Sequence, residues 1–167
     1  MKRCLAATAL CLAAAAPAAA QEARAVLSNQ EGTEVATVAL TQLENGVLIE
    51  LGVTEMPAGV YAFHLHETGA CSPDFEAAGG HFAPRGNAHG FDNPDGPHAG
   101  DLPNVRVFDG VGASVEFVND RISLREGDEG MILDDDGAAF ILHENPDSYE
   151  EEATSGERLA CGVVEAI

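Results

Sequence analysis

The six histidines are the residues of this sequence whose type and spacing could do chemistry. His64 and His66 stand two residues apart in the apolar run "GVYAFHLHE". Side chains two apart on a strand project from the same face, so these imidazoles can converge on one metal ion. An isolated H-x-H is more often a surface strand with two half-exposed histidines. The interpretation therefore depends on the other four histidines.

Three of those four lie in the polar stretch "GGHFAPRGNAHGFDNPDGPHAGD". Together with the aspartate that ends it, they form a set of His81, His89, His98 and Asp101. Three imidazoles and one carboxylate complete a tetrahedral zinc shell with no open position, which is typical of a structural zinc site. Bound zinc would order a segment that has no regular helix or strand period.

The remaining histidine, His143 in "FILHE", joins His64 and His66 in a second imidazole cluster. Ligands that are all nitrogen suit copper. Every histidine then belongs to one of two metal sites, and the sequence predicts one copper and one zinc per chain.

The elements that must position these residues are predicted strands. Alternating apolar residues and turn signals indicate eight of them, at residues 33 to 43, 47 to 56, 60 to 67, 104 to 108, 113 to 118, 121 to 124, 138 to 144 and 160 to 167. Residues 68 to 103 have neither a strand period nor a helical one, which predicts a long functional loop. The sequence therefore predicts an all-β fold, an eight-stranded Greek-key barrel or sandwich with long metal-binding and active-site loops.

Residues 1 to 20 have a short basic start, an apolar stretch and a small-residue end. This pattern predicts a secretory signal peptide cut before Gln21, or as late as residue 25 at a second small-residue site. The apolar run is too short to span a bilayer. Residues 21 to 167 are then a single domain, periplasmic or secreted, without a membrane anchor.

Cys71 and Cys161 are the two cysteines that follow the predicted signal. In an oxidising compartment two cysteines indicate one disulfide, closing a loop of about 90 residues. Two buried free thiols are the alternative, which export disfavours.

Charge excludes two classes of partner. The predicted signal holds two of the eight basic residues and none of the 28 acidic ones, so six against 28 leaves a formal net charge of −22. Nucleic acids and anionic membranes both require a basic face, and neither is an expected partner.

Five motifs together resemble the copper/zinc superoxide dismutases, of the bacterial periplasmic type. They are "FHLHE" at 63 to 67, "GGHFAP" at 79 to 84, "HAGDLPN" at 98 to 104, "LHENPDSY" at 142 to 149 and "RLACGV" at 158 to 163. The resemblance runs over nearly the whole chain after the predicted signal.

The resemblance implies a role for each site residue. His64, His66 and His143 would bind copper, His81 would bridge copper to zinc, and His89, His98 and Asp101 would complete the zinc site. It also implies a Cys71–Cys161 disulfide, an Asp147 carboxylate that links ligands of the two metals, and an Arg158 that receives the anionic substrate. The expected enzyme converts superoxide to oxygen and hydrogen peroxide.

One loop departs from the family pattern. The segment "SYEEEATSGE" between Asp147 and Arg158 is shorter than usual and carries Glu150, Glu151 and Glu152 where members usually place basic residues. The alternative function is a periplasmic copper or zinc carrier or store on the same scaffold. A carrier would have no use for a bridging His81, a substrate Arg158 or an Asp147 link. A monomer and a homodimer both remain open.

Overall fold

The computed structural model of the chain describes residues 21–152 and 154–167. The predicted signal peptide lies outside the described residues. Within the described part, no helix is long and apolar enough to cross a membrane.

The fold is built from ten strands and one short 3-10 helix in the described part of the chain. The strands are β1 Glu22–Asn29, β2 Glu34–Leu43, β3 Gly46–Val53, β4 Gly59–Tyr61, β5 Phe63–His66, β6 Val105–Val107, β7 Ala113–Asn119, β8 Ala139–His143, β9 Arg158–Val163 and β10 Glu165–Ala166. Eight form one curled antiparallel sheet in the order β5, β8, β9, β1, β2, β3 and β7, with β10 on β1, while β4 pairs with β6. The all-β prediction is confirmed.

Two strand assignments from the sequence were wrong. Residues 121 to 124 form a single bridge, Ser123 with Met131, and no strand, because the Gln42 side chain accepts the next donor, the Leu124 N–H, at 2.6 Å. Strand β1 was missed, since two of its inward positions are Ala23 and Ala25, and alanine has a low strand propensity. Two predicted strands are each divided in two. The strand predicted at 60 to 67 becomes β4 and β5, and the strand predicted at 160 to 167 becomes β9 and β10.

Strand β5 is buried on both faces, and each face has a different use. Phe63 and Leu65 point into the hydrophobic core, where the Phe63 ring stacks on Phe140 of β8 with centroids 5.0 Å apart. Because side chains alternate along a strand, His64 and His66 point to the opposite face. The core thus fixes a strand whose other face carries the two histidines.

The long loop predicted at residues 68 to 103 covers that histidine face. Its only helix in the described structure is the 3-10 turn Phe75–Ala78. The Cys71–Cys161 disulfide ties the start of the loop to β9, with the two Cα atoms 5.8 Å apart. The loop is therefore anchored beside the sheet.

Candidate metal centre

Strand pairing places His143 beside the two histidines of β5. Strands β5 and β8 are antiparallel neighbours with His64 opposite Ile141 and His66 opposite Ala139. His143 lies two residues beyond Ile141 on the same face, after an irregularity in the pairing with β9. Three imidazoles from two adjacent strands therefore share one face of the sheet.

Backbone hydrogen bonds bring the loop to the same place. The Leu65 N–H donates to the Gly100 carbonyl at 2.9 Å, and the Phe82 N–H donates to the Leu65 carbonyl at 2.9 Å. A side chain at Gly100 would collide with the Leu65 carbonyl, so only glycine permits this approach. His81 and Asp101, each next to one of these bonded residues, are thereby held against β5.

One cluster consists of His64, His66, His81 and His143, whose ligand atoms lie within 4.8 Å of one another. The Nε2 atoms of His66 and His143 are 3.3 Å apart. His66 donates its Nδ1–H to the Gly79 carbonyl at 3.0 Å, which leaves its Nε2 lone pair free. His64 Nδ1 is buried and has no hydrogen-bond partner among the described residues. A buried imidazole nitrogen without a partner is what a metal ligand requires, and an all-imidazole set suits copper.

The second cluster consists of His81, His89, His98 and Asp101. Three Nδ1 atoms surround Asp101 Oδ1, that of His81 at 2.8 Å, that of His89 at 3.0 Å and that of His98 at 3.3 Å. Donor atoms of a tetrahedral zinc site with bonds of 2.0 to 2.1 Å lie about 3.3 Å apart, so these spacings fit zinc. The other oxygen, Oδ2, accepts the Gly90 and His98 backbone N–H groups, each at 3.0 Å.

His81 belongs to both clusters. Its ring centroid lies 4.1 Å from that of His64 on one side and 4.9 Å from that of His89 on the other. Because its Nδ1 faces Asp101, Nε2 is the nitrogen left for the all-histidine cluster.

Burial and hydrogen bonding set different pKa values in the two clusters. Burial lowers the pKa of His66 to about 2 and that of His143 to about 3, with nearby imidazoles contributing. Hydrogen bonds to Asp101 and Asp147 raise the pKa of His89 to about 9. Burial opposes ionisation of Asp101, but its hydrogen bonds from His81 and His89 hold the carboxyl pKa far below its usual range. His66 and His143 are thus neutral imidazoles in the first cluster, whereas the second cluster is organised around a carboxylate.

Asp147 links the two clusters through one buried carboxylate. Its Oδ2 accepts a hydrogen bond from His64 Nε2 at 2.9 Å, and its Oδ1 accepts one from His89 Nε2 at 3.2 Å. These bonds outweigh the effect of burial and hold the Asp147 pKa well below its usual range. Such bonds orient imidazole ligands and fix which nitrogen carries the proton.

Two residues that sequence reasoning gave no role hold Asp147 in place. The Asn104 side chain accepts the Asp147 N–H at 2.7 Å and donates to the Asp147 carbonyl at 2.9 Å. The Tyr149 hydroxyl accepts the Asn104 N–H at 2.8 Å. Both lie within the motifs quoted above, which was the only signal that could have found them.

Arg158 lies at the edge of the all-histidine cluster because β9 places it opposite His143. Its guanidinium donates to the Phe75 carbonyl at 2.7 Å and to the Gly79 carbonyl at 2.8 Å. Gly79 is the same carbonyl that accepts from His66. A third guanidinium nitrogen, Nε, lies 3.3 Å from Glu76, a residue that sequence reasoning did not single out.

Comparisons with known proteins agree with this geometry. The family described as "Copper/zinc superoxide dismutase (SODC)" matches residues 35–164. A copper/zinc superoxide dismutase of Aquifex aeolicus is 39% identical over 162 residues, covering 93% of this chain and 96% of its own. That of Caulobacter vibrioides is 38% identical, covering 85% and 84%. The crystal structure of a superoxide dismutase-like protein from Bacillus subtilis, a double mutant, matches with a TM-score of 0.79 and 41% identity, covering 84% of this chain and 95% of that one.

Proposed function

Because the chain belongs to the copper/zinc superoxide dismutase family, we propose that it converts two superoxide ions and two protons into one molecule of oxygen and one of hydrogen peroxide. The observation that carries the proposal is the presence of His81 in both metal-ligand clusters. A shared imidazole has a use in an enzyme whose two metals act together. It has none in a carrier that must release each ion separately.

The ligand sets follow from the two clusters. His64, His66, His81 and His143 would hold copper, and His81, His89, His98 and Asp101 would hold zinc, one ion of each per chain. Copper supplies a centre that accepts one electron and gives it back. Zinc has no redox chemistry and keeps the loop in position.

Arg158 would receive the superoxide anion. A guanidinium is planar, always charged, and offers paired donors to a small anion. Two backbone carbonyls fix its position beside His143, so the anion would be guided to the copper ligands by a guanidinium that is already in place.

His81 would handle a proton. Its Nδ1 is engaged on the zinc side, so Nε2 is the atom that can hold a proton when it is free and give it to the reduced product. Burial lowers the pKa of this imidazole, which favours release of that proton. Asp147 would keep His64 and His89 in the tautomers that both sites need.

Export completes the proposal. The disulfide suits an oxidising compartment, and the signal-like residues 1 to 20 would direct the chain out of the cytoplasm. The mature domain would then begin near Gln21.

The test is superoxide decay followed by pulse radiolysis, with the copper-and-zinc protein compared with the same protein holding zinc alone. We expect rapid decay that depends on copper and falls strongly in Arg158→Gln. Equal decay in the two metal forms would contradict the proposal. Tight copper binding without catalysis would identify the carrier instead.

A further inference from the structure

Arg158 has a carboxylate neighbour that nothing in the proposed reaction requires. Glu76 Oε1 lies 3.3 Å from Arg158 Nε. The Arg158 side chain is 16% exposed and that of Glu76 is 76% exposed, so the carboxylate approaches from the solvent side. This is also the side from which a dissolved anion must arrive.

The contacts leave little room for a second anion on the same guanidinium. One terminal nitrogen donates to the Phe75 carbonyl and the other donates to the Gly79 carbonyl. A small anion bound in the plane of the guanidinium takes two adjacent N–H groups, and Nε supplies one of the pair on that edge. Glu76 Oε1, 3.3 Å from Nε, puts a negative charge beside this edge.

The backbone of Glu76 is fixed while its side chain is free to move. Asp74 caps the 3-10 turn by accepting the Glu76 N–H at 3.1 Å, and the Glu76 carbonyl accepts the Gly79 N–H at 3.0 Å. The same turn supplies the Phe75 carbonyl that anchors Arg158. One turn therefore holds the guanidinium in place and sets a carboxylate over its open edge.

We propose that Glu76 is a built-in competitor for the substrate anion, a specificity-determining residue that must move off Arg158 before superoxide can use it. The inference rests on the proposed role of Arg158. Glu76 makes the site more selective for anions that also gain a copper contact, since an anion held by Arg158 alone must first displace the carboxylate.

The effect is modest, because an exposed ion pair is screened by solvent. Pairs of this kind shift equilibria by about two- to fivefold. We therefore expect Glu76→Gln, which keeps the shape and removes the charge, to lower the azide dissociation constant of the copper-and-zinc protein by about two- to fivefold. Azide is a small anion, and its binding is followed by copper EPR.

A second readout does not involve the metals. Phenylglyoxal modifies free guanidinium groups, and peptide mapping gives the rate at Arg158 relative to the exposed Arg106. We expect that ratio to rise in Glu76→Gln. The melting temperature should stay the same, because the turn is held by its backbone bonds.

The matched control is Glu116→Gln on β7, which makes the same change in net charge at the opposite edge of the large sheet from β5. It should leave both readouts unchanged. If Glu76→Gln leaves azide binding unchanged or weakens it, while Arg158→Gln weakens it, competition is wrong and the proposed role of Arg158 stands. If Arg158→Gln has no effect on azide, both that role and this inference fail.

Discussion

The two halves of the metal centre are built in different ways. The copper half takes His64, His66 and His143 from β5 and β8, whose register is fixed by continuous hydrogen bonding and a hydrophobic core on the other face. The zinc half takes all of its residues from the loop at 68 to 103, where three imidazoles converge on the Asp101 carboxylate.

The two halves therefore differ in what positions their ligand side chains. Strand pairing places three of the four copper-side imidazoles, so most of that half is preformed by the fold. The zinc half has only isolated bridges to β5, and the Asp101 carboxylate, the disulfide and a bound ion would supply the rest of its order. The copper half should therefore tolerate damage to the loop better than the zinc half does.

The largest effect is expected from removing the covalent anchor of the loop. Cys71→Ser combined with Cys161→Ser should lower the unfolding free energy by about 4 kcal/mol, since the unfolded chain regains the entropy of a 90-residue loop. It should also loosen Arg158, which is held by two carbonyls of that loop. Denaturant unfolding of the metal-loaded protein and its superoxide decay rate measure the two effects. Full retention of stability and activity would contradict the claim that the disulfide anchors the loop and Arg158.

The next largest effect is expected from removing the Asp101 carboxylate, which should disturb the zinc half and leave the strands of the copper half intact. Asp101→Ala should weaken zinc binding by at least about 100-fold, because loss of a ligand costs more than the 10- to 100-fold typical of an outer hydrogen-bond partner. Hydrogen exchange should rise across the loop while amides of β5 and β8 stay protected. The control is Asp92→Ala, an exposed carboxylate of the same loop. An equal rise of hydrogen exchange in the loop and in strands β5 and β8 would contradict the claim that the two halves are held in different ways.

A smaller change at Asp147 tests the link between the halves. Asp147→Asn removes the negative charge and replaces one acceptor oxygen with a donor, so the hydrogen bonds to His64 and His89 are both weakened. Zinc affinity should fall by about tenfold. Isothermal titration with zinc measures it, and Glu150→Gln on the same loop is the control. An unchanged affinity would show that the halves are independent.

Histidine spacing predicted the zinc set and the pair His64 and His66, whereas the place of His81 in the copper set came from the family resemblance. Residues two apart on a strand lie on the same face, as His64 and His66 do. The pairing of His143 with them depended on counting histidines, since its sheet neighbours are far away in sequence.

The parts that were missed depend on tertiary contacts without a sequence signature. Glu76 is one of 28 acidic residues, and only the fold brings it to Arg158. Strand β1 was missed because Ala23 and Ala25, at its inward positions, are residues of low strand propensity. Residues 121 to 124 have strand-like composition, yet their pairing stops at one bridge because the Gln42 side chain accepts the Leu124 N–H.

The smallest effect concerns the acidic rim, which lies outside both halves. Glu150 to Glu152 and the net acidic charge should repel superoxide at a distance, while Arg158 attracts it nearby. Salt shortens the Debye length to about 10 Å at 0.1 M and screens the distant repulsion more. The bimolecular rate should therefore stay flat or rise with ionic strength, and Glu151→Lys should raise it by about twofold at low salt.

Pulse radiolysis across a salt series checks the rim, with Glu116→Lys as the distant control. A rate that falls steeply with salt would mean that a basic approach to the site exists and that the rim does not repel superoxide.

Copper EPR of the intact protein, recorded before and after selective removal of zinc, tests the shared ligand most directly. If His81 joins the two halves, the copper spectrum must change when zinc leaves, because one copper ligand loses its other metal. In His81→Ala the copper spectrum should no longer respond to zinc. A spectrum of the intact protein that is indifferent to zinc would contradict the account.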